Sequence, residues 1–316
     1  MNLRSIRNIS LEEAKSRTGH FIAACGYERR SRAISRIIGA GDSGIAICFG
    51  EFADALARPQ NEDEFTSAGF KLVTLSGNDS QGVQEIISSA ARAAFPSRKA
   101  LTVDISSMTR AWHGGIVRQL RTMNTTELVE VIFAYVPAVF KRPVGRISPN
   151  EFVAPVNGFA SLATPNLPVT AIIGLGYEKE RALGIQQILD PQSTLLFIPR
   201  SGDGDLFYRE VLRSNRDILS RTPADSIFEY ALSEPAAAFA TLASLIGGLQ
   251  DQYRIVLVSL GPKIFGLLCF LLATRFPNVS VWRVSAGVHG RPRDAEADPT
   301  RMVALSTVWG PSPQIG

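Results

Sequence analysis

The chain has little of what the common catalytic signatures are made from. Its 316 residues include only 3 cysteines and 3 histidines. Cys25, Cys48 and Cys269 are scattered with no C-x-x-C spacing, which excludes a thioredoxin-type motif or a cysteine-based zinc ribbon and fits buried thiols in a reducing cytosol. His20, His113 and His289 are too far apart for a local zinc signature. No Walker A, HExxH or GxSxG pattern occurs, and "GLGYEK" carries Lys179 where a dinucleotide fingerprint needs its third glycine. The longest apolar run, "IFGLLCFLLA", has about half the length of a membrane span. The opening "MNLRSIRNISLEEAKSR" has no apolar signal-peptide core. No dense Lys/Arg run is interleaved with aromatics, so a groove for DNA or RNA duplex is not indicated. The expectation is a cytoplasmic protein off the membrane, with no metal and no cofactor.

What is present is a repeat. Apolar residues make up 45% and charged residues 20%, the balance of a globular chain, and the length suits two domains of about 150 residues. The net charge of +4 points weakly to an anionic partner such as a nucleotide or phosphate. "CGYERR" (25–30) and "LGYEKER" (175–181) both follow apolar runs, once near the start of each half.

The pattern around each is the same. In the first half, apolar strands are expected at 20–25, 44–50, 70–76, 100–107 and 127–136, with helices over 30–40, 79–94 and 109–123. In the second, strands are expected at 169–176, 193–199, 225–232, 254–261 and 278–285, with helices over 178–189, 205–220, 234–250 and 263–275. Even the tails echo: "YVPAVFKRP" then "EFVAPVNGF" against "VSAGVHGRP" then "RMVALSTVWG". Alternating helices and continuously apolar strands imply α/β architecture: two tandem Rossmann-like units with mainly parallel sheets flanked by helices, an internal pseudo-dimer. The turn-rich stretch 157–168 suggests an N-terminal extension over 1–18, a first unit over 19–160 and a second over 161–316.

Ligands of parallel α/β units bind at the carboxyl ends of strands. Both Gly-Tyr-Glu stretches fall there. Gly26 and Gly176 permit a tight turn or a positive φ, Tyr27 and Tyr177 offer faces for a base, and Glu28 and Glu178 suit a helix start. Turn, packing and helix dipole would explain the triplet without any ligand. The second candidate is "VDISSMTRAWHGG": Asp104, Ser106, Ser107, Thr109 and Arg110 bring hydroxyls, a carboxylate and a cation to the start of a helix, a phosphate cradle or a generously built cap. His113, one turn further, is an acid–base candidate, though a helix-face histidine is more often structural. In the second half "VSLGPKIFG" has Ser259, Gly261 and Lys263 instead, with Pro262 suited to a first helical position.

At these motifs the first half resembles the CRISPR-associated Rossmann-fold (CARF) sensors, whose signature after strand four reads Asp/Asn-x-Ser/Thr-x-x-x-Arg/Lys. Asp104-x-Ser106-x-x-x-Arg110 fits it, and "GYERR" looks like the first ligand-facing loop of that family. The resemblance covers most of 19–136; the second half departs, with Ser259 and Gly261 at the Asp/Asn and Ser/Thr positions. It implies a nucleotide second messenger such as a cyclic oligonucleotide, sensed in prokaryotic antiviral defence, and a tandem chain similar to the fused pair of the related SAVED sensors. The two repeats use up the chain, so signalling would need a separate effector protein. Two other function classes stay open: an enzyme acting on the nucleotide, as a ring nuclease or a phosphodiester or glycosidic hydrolase, and a scaffold subunit of a defence complex. In the last case the loops 201–210 and 290–301 would carry the contacts.

Overall fold

The computed structural model describes residues 1–142, 152–161, 166–202, 205–285 and 292–311. His289, the middle of the 157–168 stretch and parts of the 201–210 and 290–301 loops lie outside these residues. The chain forms two compact units, Met1–Val139 with Arg291–Gly316, and Phe140–Gly290. The architecture is α/β, as the alternation of apolar runs implies.

In the first unit the strands are β1 (Asn2–Ile9), β2 (Thr18–Cys25), β3 (Ser43–Phe49), β4 (Phe70–Leu75), β5 (Ala100–Asp104) and β6 (Val129–Tyr135). In the second they are β7 (Phe152–Pro155), β8 (Val169–Gly174), β9 (Ser193–Arg200), β10 (Ile227–Ala231), β11 (Arg254–Ser259) and β12 (Val279–Ser285). The last strand, β13 (Val303–Gly310), returns to the first. The sheets run β1-β13-β6-β5-β2-β3-β4 and β10-β9-β8-β11-β12-β7. Within each, five parallel strands follow the same order, and one antiparallel strand pairs with the fifth.

That antiparallel strand is exchanged. β7 follows β6 in sequence but pairs with β12, with Trp282 opposite Pro155. β13 follows β12 but pairs with β6, with Leu305 opposite Phe133. The echoing tails are therefore real equivalents, each belonging to the sheet of the other half. For this reason the borders of the units differ from those expected at 18/19 and 160/161. Residues 1–18 are also integral: β1 pairs with β13, and the amino terminus of Met1 donates to the carbonyls of Arg121 and Met123 at 2.8 and 2.6 Å.

Among the described residues there are ten α-helices: α1 (Leu11–Arg17), α2 (Ser35–Ile38), α3 (Arg58–Ser67), α4 (Ser80–Ala94), α5 (Arg110–Thr122), α6 (Arg181–Leu189), α7 (Leu206–Ser214), α8 (Arg216–Leu219), α9 (Pro235–Leu249) and α10 (Lys263–Arg275). α1 begins at an N-cap, with the Ser10 hydroxyl accepting from the Glu13 amide at 3.0 Å. α4 starts at Asp79, whose carboxylate accepts from the Gly82 amide, and buries Val83, Ile87, Ala90, Ala91 and Ala94 along one stripe. In α10 every residue from Ile264 to Ala273 is buried, which accounts for the longest apolar run. Among the described residues no helix is long and apolar enough to cross a membrane.

The helix expected over 205–220 is broken at Asn215 into α7 and α8, and the first unit differs at two places. The helix expected over 30–40 is a 3-10 turn, Arg29–Arg32, followed by the single turn of α2, which Gly39 ends at φ 81°. α3 has no counterpart in the sequence reading, because two of its three buried residues, Arg58 and Asn61, are polar and only Phe65 is apolar.

Candidate functional site

In the first sheet the chain runs from β2 through β3 to β4 on one side, then from β5 to β6 on the other. The reversal between β2 and β5 opens a crevice at their carboxyl ends, where ligands of such sheets bind. The first Gly-Tyr-Glu turn and the Asp104–Arg110 segment meet there.

The turn is held from below by Asn61. Its fully buried Nδ2 donates to the Gly26 carbonyl at 2.8 Å, the Glu28 carbonyl at 2.9 Å and the Ser31 hydroxyl at 2.9 Å. The Glu28 carboxylate pairs with Arg30 Nε at 2.7 Å and accepts from the Ser107 hydroxyl at 3.3 Å. Burial works against the Arg30 charge, but Glu28, with help from Tyr135 and Asp104, raises its pKa overall and keeps it a cation. Tyr27 packs edge-on against Phe52, ring centroids 5.8 Å apart, and its phenol is raised by burial and by Glu28. Phe52 and Leu56 are exposed and both adopt left-handed backbone, φ 59° and 52°, a strained conformation for bulky side chains.

At the end of β5 the residues sort by depth. Asp104 and Ser106 are closed to solvent. Asp104 accepts from both the amide and the hydroxyl of Ser106, and the Ser106 oxygen accepts from the Val136 amide at 2.9 Å. These two side chains shape the turn. Thr109 caps α5, accepting from the Trp112 amide at 3.1 Å while donating to the Gly77 carbonyl at 2.7 Å. Ser107 reaches Glu28, and Arg110 is the first helical residue, half-buried. His113 is fully buried with Nε2 3.3 Å from the Ile105 carbonyl oxygen, away from any open crevice.

The second half repeats the turn with different consequences. Asn215 takes the place of Asn61, donating to the Gly176 carbonyl at 2.7 Å. Glu178 pairs with Arg181 at 2.9 Å, as Glu28 does with Arg30, and Tyr177 packs edge-on against Phe140 and Phe207. Neither Gly26 nor Gly176 has a positive φ. Gly176 is required by close approach: a Cβ there would lie 2.2 Å from the Leu260 carbonyl oxygen, and one at Gly261 2.2 Å from that of Leu175. The crevice between β8 and β11 is thus closed by backbone against backbone. At Gly26 a Cβ would meet nothing nearer than Phe49 at 3.5 Å and Ser107 at 3.7 Å, ordinary contact. Ser259 is buried, and Pro262 stands at the N-cap of α10, one residue before its first helical position, with Lys263 half-buried after it. A cavity of about 190 Å³ in the second unit is lined by Lys179, Glu180, Arg213, Asn215 and Arg216 among others.

The basic run after the first turn is neutralised within its unit. Arg29 pairs with Asp294 at 2.5 Å, and Arg32 and Arg36 both reach Glu64 at 2.7 and 2.5 Å. The hydrogen bond from Arg36 and the charge of Arg32 lower the Glu64 pKa despite partial burial. A carboxylate whose folded pKa is depressed adds stability above its unfolded pKa of about 4.3 and loses it as pH falls through the folded value. The denaturation midpoint of Glu64→Gln is therefore expected to lie below that of the unchanged chain at pH 7, the gap closing below about pH 4. A gap that persists in acid would dissociate Glu64 from this ion pairing.

The sequence missed Asn61 and Asn215. The signal was there: each opens an Asn-x-Asp triplet, "NED" at 61–63 and "NRD" at 215–217, one per half. Among the described residues no cluster of His, Cys, Asp or Glu could hold a metal ion. No protein-family model matches the chain, and no curated protein matches its sequence.

Proposed function

We propose that the chain is a sensor of a nucleotide-type second messenger, of the cyclic-oligonucleotide class, that binds at the carboxyl edge of the first unit and signals through a separate effector protein in antiviral defence. One observation carries this reading: a Cβ at Gly26 would make only ordinary contacts with Phe49 and Ser107, at 3.5 and 3.7 Å, whereas at Gly176 and Gly261 it would meet backbone carbonyl oxygens at 2.2 Å. The groups around it suit a phosphorylated ligand. Ser107 supplies a hydroxyl, Arg110 a cation at the start of α5, and the α5 N-terminus its amides. Tyr27, with Phe52 against its edge, offers an apolar surface to a base. Asp104 and Ser106, the residues that carry the CARF-like resemblance with Arg110, position these groups from within the turn. Tyr177, Glu178, Gly261 and Lys263 take a supporting part in this reading, because their crevice is closed.

The test is equilibrium binding to a panel of cyclic and linear oligonucleotides, with mass spectrometry of the recovered ligand. A bound, intact cyclic oligonucleotide is expected, and Arg110→Ala should weaken it about tenfold through loss of a charge-assisted contact while leaving the melting temperature near that of the unchanged chain. No binding by any member of the panel would overturn the reading. A second reading, hydrolysis of the ligand, is favoured by the Ser107–Glu28 hydrogen bond, which sets a carboxylate beside a hydroxyl at the crevice. Recovery of a linearised or shortened ligand would select it.

A further inference from the structure

Cys25 and Cys48 are neighbours that the sequence keeps apart. They are register partners on the parallel strands β2 and β3, so their side chains leave the sheet on the same face. Both are free, both are buried, and both belong to one core cluster with Phe21, Ala23, Ala46 and Phe65. A pair of small hydrophobes would fill this space equally well. Strand register and a neighbouring arginine set the pair apart from filling. Cys48 Sγ donates to the Ala46 carbonyl at 3.9 Å, and the Arg58 guanidinium, itself buried and paired with Glu62, donates at 2.8 Å to the Phe49 carbonyl, one residue beyond Cys48. Interaction with Cys48 and burial raise the Cys25 thiol, which keeps its proton, whereas interaction with Cys25 and the Arg58 charge lower that of Cys48. Each cysteine also roots a segment of the candidate site: Gly26 follows Cys25, and the loop with the left-handed Phe52 and Leu56 follows Cys48 within a few residues.

We propose that Cys25 and Cys48 form a reversible dithiol/disulfide couple, oxidised by a peroxide and reduced by a dithiol, at the root of the first Gly-Tyr-Glu turn. The Cys48 thiolate attacks one oxygen of hydrogen peroxide: an S–O bond forms, the O–O bond breaks, and the leaving hydroxide takes a proton to become water. Cys25, deprotonated as it attacks, then displaces the second oxygen as water from the Cys48 sulfenic acid, forming the S–S bond. Two thiols and one peroxide yield one disulfide and two waters. Exchange with a dithiol returns both thiols and leaves the reductant as its cyclic disulfide. Adjacent strands hold two Cα atoms within the span a disulfide bridges. The buried sulfurs meet the oxidant by local opening of the strained 50–58 segment.

The test uses the full chain, reduced, exposed to hydrogen peroxide under native conditions, quenched with catalase, alkylated in denaturant and digested without reductant. The expected product joins the peptide of Cys25 to that of Cys48, with a mass about 2 Da below the sum of the two thiol peptides. Both sites should lose their alkyl label, Cys269 in α10 should keep its own, and dithiothreitol should restore the label at both. In Cys25→Ala, an apolar change that the site can pack, the link should vanish and Cys48 should stop at a sulfenic acid trapped by dimedone. Full alkylation of Cys25 and Cys48 while Cys269 oxidises would overturn the proposal, as would over-oxidation of the two sulfurs with no link between them. Neither outcome depends on the identity of any ligand.

Discussion

Ending the chain at Met302 abolishes folding of the first unit and leaves the unfolding transition of the second in place. The segment removed is β13, which stands inside the first sheet, between β1 and β6. Its Leu305 and Trp309 are fully buried, and Trp309 Nε1 donates at 2.9 Å to the Thr307 hydroxyl, which in turn donates to the Val131 carbonyl at 2.7 Å. A buried Trp replaced by Ala typically costs about 3 to 5 kcal/mol, and the net stability of a domain is about 5 to 15 kcal/mol. Losing Trp309, Leu305 and both ladders together exceeds that margin. β1 would lose its strand partner, and β6 would become an open edge. Scanning calorimetry and near-ultraviolet circular dichroism of the truncated chain give the check. Two intact transitions after truncation would mean that β13 adds nothing essential. The milder Trp309→Ala variant should keep both transitions and lower the first.

This strand exchange marks the limit of what the sequence discloses about the fold. The ten parallel strands and their order in the chain are readable because each is a short apolar run bounded by turns. The similarity of the two tails is readable too. Their partners are not, because an antiparallel strand such as β7 or β13 has the same local pattern whichever β-sheet edge receives it. α3 stayed hidden for a different reason. Helices show themselves by apolar periodicity, and α3 buries an arginine and an asparagine at the positions where that signal would be apolar. Those two residues have local work: Asn61 holds the Gly26 turn, and Arg58 donates to the Phe49 carbonyl at 2.8 Å.

The candidate site was legible as a set of residues but not as a set of roles. Placing Gly26–Glu28 and Asp104–Arg110 at one sheet edge follows from topology. Which of their polar groups face outward depends on depth, and depth depends on partners far along the chain: Val136 for Ser106, Gly77 for Thr109, Glu64 for the arginines after the turn. A run such as "GYERRSR" displays its charges in the sequence and conceals the carboxylates that neutralise them.

The two glycines of the doubled motif should respond to the same substitution in opposite ways. Gly176→Ala sets a methyl carbon 2.2 Å from the Leu260 carbonyl oxygen, and this obstacle is backbone in the ladder between β8 and β11, with the Leu260 amide bound to the Gly174 carbonyl at 2.8 Å. No side chain can swing aside, so the strand ends must separate, and the expected loss is about 3 kcal/mol by the measure of overpacked cores. Gly26→Ala meets only side-chain atoms at 3.5 Å and beyond, its φ is not left-handed, and its stability should change by about 0.5 kcal/mol or less, in the range of benign substitutions. Urea denaturation of the two variants, with the slope held constant, measures both numbers. Equal losses at the two positions would mean that the crevices are alike, and the asymmetry that singles out the first unit would fall. A large loss at Gly176 alone leaves Gly26→Ala as a folded probe whose added methyl group projects between Phe49 and Ser107. There it should reduce ligand affinity by crowding alone, which separates a glycine kept for the backbone from one kept for what enters the crevice.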